Sequence, residues 1–215
     1  MPDLAARRVA APYRIAAHLS ARDVFDLGAG ALARAVKAGT ITPAEWEAAM
    51  RELVSDVHVA AYAAGRSGQW DKITPDEWRS VERVVDDQFR FLRGFRDWLR
   101  DTPVGDVSEA KIYERARLYG AASRQSFTRA ELADLGLGVT LPAYPGDAST
   151  SCWTNCKCRW AVRVLSKARG DFDCTWRLGQ AEHCRECRAR SRAWTGLRVR
   201  GHILVDGYSV VGTFR

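Results

Sequence analysis

All six cysteines of this 215-residue chain fall between positions 152 and 187. The stretch reads CWTNCKCRW, then a basic run, then CTWRLGQAEHCRECRARSRAW. Packing alone does not ask for such crowding, whereas metal ligation does. Cys152, Cys156 and Cys158 form C-x3-C-x-C, and Cys184 and Cys187 form C-x2-C, the knuckle spacing of structural zinc sites. Cys156 and Cys158 are two apart, so on an extended segment both thiols face one side. Cys156, Cys158, Cys184 and Cys187 are therefore the expected ligands of one structural zinc ion per chain. Cys152 is the first reserve, because on a helical turn it replaces Cys156. His183 is the second reserve, more often a supporting residue than a ligand when it sits beside one. Cys174 reads as a small buried residue or a free thiol. Four thiolates leave no open coordination position, so the ion holds structure and does no Lewis-acid chemistry. A disulfide framework is the alternative, although it suits small secreted proteins better than a chain whose first 151 residues lack cysteine.

The sequence ahead of that stretch is helical in pattern. Thr42-Pro43-Ala44-Glu45 and Thr74-Pro75-Asp76-Glu77 are both capping boxes with proline at the first helical position. Trp46, Met50, Val54, Val57 and Ala61 follow the first at helical spacing. Trp78, Val81, Val85, Phe89, Leu92 and Leu99 follow the second. The pair reads as antiparallel, with its aromatic stripe in the core. Residues 1–19, with Pro2 and Pro12, read as an arm. Ser20 is a candidate cap for a helix weakened by Gly28 and Gly30, and Ser108 caps another. Thr128 and Glu131 suggest a further short helix. Residues 136–150, rich in Gly and Pro, read as a linker. Beyond it the period changes to two. CRWAVRVL and DCTWRL are candidate paired strands, and Asp206-Gly207 marks a terminal β-hairpin. The expected fold class is mainly α: an arm (1–19), a helical body (20–135), the linker (136–150) and a small, zinc-stapled α+β lobe (151–215).

The charge is uneven. Residues 1–100 carry a net +1, residues 101–150 a net −2, and residues 151–215 a net +8. The lobe thus suits a polyanion or an acidic protein surface, with Arg185, Arg188, Arg190, Arg192 and Trp194 as the expected contacts. No apolar run approaches a membrane span of roughly 20 residues, and the N-terminus lacks the continuous apolar stretch of a signal peptide. Enzyme classes find no purchase. GxSxG, HExxH and a phosphate-binding glycine loop are all missing, and none of the four histidines stands in a catalytic pattern. H-C-x2-C at 183–187 lacks the H-x-E element of the zinc deaminases.

At YPGDASTSCWTNCKCRW and WRLGQAEHCRECRARSRAW the chain resembles the phage minor head, or head-morphogenesis, proteins related to the F protein of phage Mu. The matching residues are Asn155, Cys156, Lys157 and Cys158, then Ala181, Glu182, His183, Cys184 and Cys187. RARLYGAASRQSF at 115–127 matches the helical part of those proteins more loosely. The resemblance implies a non-enzymatic virion protein near the portal or inside the capsid shell, assembled in the host cytoplasm and oligomeric in the particle. Its expected partners are other phage head proteins and packaged DNA, the latter bound without sequence preference. The alternative from another class is a zinc-ribbon-like nucleic-acid-binding regulator.

Overall fold

The computed structural model describes residues 3–205. The chain divides into two compact units, Met1–Phe127 and Thr128–Arg215. The first is all helix; the second holds a small antiparallel sheet, so the protein is mainly α with an α+β C-terminal part.

Four helices build the first unit: α1 (Asp3–Lys37), α2 (Pro43–Gly65), α3 (Pro75–Asp101) and α4 (Glu109–Asp134), whose last turn enters the second unit. Both expected capping boxes are present. Thr42 and Thr74 each accept from the amide three residues on, and Glu45 and Glu77 each accept from the cap amide. Such a cap contributes about 1 kcal/mol to its helix. Ser108 Oγ accepts from the Lys111 amide at the start of α4. The ends of the helices fix their direction. Glu47, at the start of α2, lies 2.7 Å from Arg96 near the end of α3, and Tyr62 near the end of α2 bonds Glu77 at the start of α3. The two are antiparallel. Arg14 of α1 likewise donates to the Gly65 carbonyl that ends α2. The core is Phe25, Ala29, Ala33, Trp46, Met50, Val54, Leu92 and Phe95 with Ile112, Ala116 and Tyr119.

The helical unit differs from two local expectations. Of the expected arm at 1–19, residues 3–19 are helical instead, because α1 runs unbroken from Asp3 through Pro12 and the exposed Ser20. The alanine-rich sequence has high helix propensity, and tertiary bonds from Arg14 and His18 hold it, so the proline does not end the helix. Nor do Thr128 and Glu131 start a new helix; α4 continues through them.

The second unit is a meander in the order β1 (Arg159–Ser166), β2 (Asp171–Arg177), β3 (Leu197–Arg200) and β4 (Ile203–Leu204), with α5 (Arg185–Ala193) between β2 and β3. The pairing sets Trp160 opposite Trp176 and Cys174 opposite Leu197. The β3–β4 turn is Gly201-His202, with φ of 59° and 60°, the left-handed pair of a type I′ hairpin. The hairpin expected around Asp206-Gly207 lies outside the described residues. Residues 136–149 are not a spacer: Leu137, Leu141, Ala143 and Tyr144 are core members of this unit. The Tyr144 hydroxyl accepts from the Leu141 amide, and the Ala143 carbonyl accepts from Trp160 Nε1. Glycine and proline mark turns but say nothing of burial, which is why the segment reads as a linker. Among the described residues no helix is long and apolar enough to cross a membrane.

Candidate metal centre

The centre begins with a short 3-10 turn, Trp153–Asn155, which folds Cys152 back towards Cys156. The chain then extends through Cys158 into β1. On the other side Cys184 is the N-cap of α5, its sulphur accepting from the Cys187 amide at 3.4 Å. That is the knuckle the C-x2-C spacing implies, and it brings both sulphurs to one end of the helix.

Gly179 closes the two halves together. A Cβ there would lie 2.1 Å from the Lys157 carbonyl oxygen, so only glycine lets the backbone after β2 pass so near the Cys-Lys-Cys segment. The Gly179 carbonyl then accepts from His183 Nε2 at 2.8 Å. A carbonyl only accepts, so Nε2 carries the proton, and in the neutral ring Nδ1 keeps its lone pair. Nδ1 faces Cys158 Sγ at 3.7 Å.

All six cysteines are free thiols. Cys152, Cys156 and Cys187 form a cluster that can hold a metal ion, their sulphurs all within 4.8 Å of one another. The Cys152–Cys187 separation is 3.6 Å, Cys156–Cys187 is 3.7 Å and Cys152–Cys184 is 3.7 Å. A tetrahedron of sulphurs about 2.3 Å from a zinc ion has edges of about 3.8 Å. Three cysteines thus stand near the spacing one tetrahedral ion requires, and Cys184 lies beside one of them, Cys152. Of the residues expected to bind, Cys156 and Cys187 are brought together, with Cys184 beside them. Cys152, the reserve, joins the cluster. Cys158 is fully buried, but its sulphur faces His183 Nδ1 and is not one of the three clustered sulphurs. The signal for Cys152 is its four-residue spacing from Cys156, which places both on one face once the intervening residues turn.

The thiols are electrostatically unequal. Hydrogen bonding from Cys187, then from the Cys158 amide, holds Cys156 at about 5, already a thiolate at neutral pH. Burial pushes Cys152 up to about 11. Cys187 is driven up as the proton donor to Cys156. Burial, then the Asp173 charge, pushes Cys174 up to about 11; it is a protonated thiol packed opposite Leu197, the small buried residue expected.

The basic residues divide. Arg185, Arg188 and Arg192 are exposed and share one face of α5 at spacings of three and four. Arg190 is engaged inside the unit: its guanidinium bonds Ser149 and lies over Trp176 and Trp194, 5.5 and 5.2 Å from their ring centres. Trp194 is no stacking platform for a base. It is 4% exposed and sits in a triad with Trp160 and Trp176. Its burial follows from its place between α5 and β3, where the ring covers the sheet.

No family model matches the chain, and neither a curated protein nor a solved structure does.

Proposed function

We propose that this chain is a structural component of a tailed-phage head, and that its second unit is a zinc-stapled module through which it docks on other head proteins. One observation supports this above the rest. Cys156 and Cys187, one from each of the two motifs that carry the resemblance to the minor head proteins, meet in one sulphur cluster although two strands separate them in sequence, with Cys184 at the Cys187 amide and Cys158 facing His183. An all-thiolate tetrahedron suits zinc, and closed coordination would make the ion a fold-holding element. Cys152, Cys156, Cys184 and Cys187 are the ligands this reading assigns. The four-helix unit offers the larger packing surface, and the exposed Arg185, Arg188 and Arg192 offer a cationic face to an acidic partner surface. No step in this role requires a nucleophile or a general base.

That cationic face also favours a second reading, a nucleic-acid-binding regulator that contacts phosphate through α5. Mass spectrometry of purified particles from the host bearing this reading frame separates the two. The head-protein reading expects the chain in full, nuclease-treated particles at low copy number. Absence from such particles would reject it in favour of the regulator.

A further inference from the structure

We infer that the cleft between α3 and α4 is a docking site for an acidic, amphipathic segment of a partner protein, one that seats large apolar side chains between carboxylates. The cleft lies wholly within the helical unit, so the inference stands apart from the zinc staple. It is open to solvent and about 470 Å³ in volume. Phe91, Gly94, Phe95 and Trp98 of α3 give it an apolar wall, at spacings of three and four that put them on one helical face. Phe91 is 43% exposed, and Trp98 is only half-buried although it stacks on Phe95 at 5.2 Å. Aromatic rings left against water in a cleft are what the core of an interface covers. Gly94 points the same way. It is exposed in the interior of a 27-residue helix, where glycine is a poor helix former. A Cβ there would meet nothing within 4 Å, so the packing of this chain does not ask for the missing side chain. The close approach of a partner does.

The rim selects that partner. Arg90 of α3 and Lys111 and Arg115 of α4 line the cleft, and none of the described residues lining it is a carboxylate. The Lys111 ammonium lies 4.8 Å from the Trp98 ring centre, and the Arg115 guanidinium 5.9 Å from that of Phe95. Such contacts hold the cations over the apolar wall without neutralising them. Arg90 pairs with Asp87 on its own helix, but both are well exposed, and a pair of that kind is weak. Positive charge thus frames an apolar cleft, and its complement is an apolar anchor flanked by Asp or Glu. A nucleic-acid strand fits less well. Base stacking needs open ring faces, whereas Phe95 is buried and Trp98 already stacks on it and lies under Lys111.

The test uses the full chain, purified under reducing conditions, and fluorescence anisotropy of labelled twelve-residue peptides. The probes carry Leu, Phe or Trp at positions i and i+4 between glutamates. At least one should bind saturably, and its affinity should fall about tenfold or more when its glutamates become glutamines or its anchors become alanines. Gly94→Leu fills the cleft with a better helix former. It should cost the same tenfold while leaving the thermal midpoint no lower, which separates a blocked site from a damaged fold. Lys111→Glu combined with Arg115→Glu should weaken the acidic probe at least as much. No saturable binding by any of the three probes overturns the inference, as does equal affinity for the glutamine peptide or unchanged affinity in Gly94→Leu. An oligothymidylate that displaces the bound probe, and is itself lost in Gly94→Leu, would overturn it in favour of a nucleic-acid strand. Self-association in sedimentation velocity that Gly94→Leu removes would overturn it in favour of a second copy of this chain.

Discussion

His18 and His58 are the residues whose chemistry is most altered by the helical unit. His18 of α1 stacks on Phe127 and bonds Ser123 Oγ at 3.0 Å. Ser123 donates to the Gly120 carbonyl, so it accepts from His18, whose Nε2 carries the proton. His58 of α2 bonds Ser126 Oγ at 2.8 Å, and its Nε2 is buried without a partner. Burial, then the Arg22 and Arg124 charges, holds His18 at about 4; burial, then His18, holds His58 at about 3. Both are neutral when folded near pH 7. Their folded values lie below the unfolded 6.5, so acid favours the unfolded chain. The stability they permit is intact above about pH 6.5 and falls as pH drops towards the folded values. At pH 5 the loss should be about 2 kcal/mol per histidine. Thermal melts of the full chain, followed by far-ultraviolet circular dichroism, should show the helical transition falling between pH 7 and pH 5. His58→Gln should flatten that slope. A pH-independent transition in the wild type contradicts the burial argument. Neither residue's role is legible in the sequence, where a histidine on an apolar helix face looks the same whether buried or not.

At the scale of elements, the signals that succeeded are those with a local mechanism. The two Thr-Pro-x-Glu starts, the Ser108 cap and the C-x2-C knuckle each need only neighbouring residues, and each is present. The signals that failed depended on distant partners. Pro12 looked like punctuation but lies inside a helix held by α2 and α4. The Gly/Pro-rich segment at 136–149 looked like a spacer but fills the second core. Which cysteines meet depended on the turn at Trp153–Asn155, and Trp194 lost its expected surface role to a triad the sheet assembles. Gly179 was silent in the sequence because its reason is a backbone contact 22 positions away. Gly179→Ala should push the segment after β2 away from Lys157, part His183 from Cys158 and lower zinc retention. A competition titration against a chromogenic chelator should show at least a tenfold loss of affinity. Unchanged affinity contradicts the role given to this close approach.

In the whole molecule the proposed metal bears on only one of the two units. Every cysteine lies in the second unit, and Met1–Phe127 has its own core of aromatic and aliphatic side chains. The second unit has a core of three tryptophans, a small sheet and the sulphur cluster. Its β3–β4 pairing is only a few residues long, and the loop 136–149 is held largely by packing against that core. Under the proposed zinc staple, part of this unit's stability comes from the ion, because the ligands gather only in the folded state. The two units should therefore part company when metal is removed. Hydrogen-exchange mass spectrometry of the zinc-loaded, reduced full chain, with and without a strong chelator, measures this most directly. The account predicts that peptides from residues 137–205 lose protection on chelation while peptides from 20–127 keep theirs. Protection unchanged throughout the chain, or lost equally from both units, would contradict it.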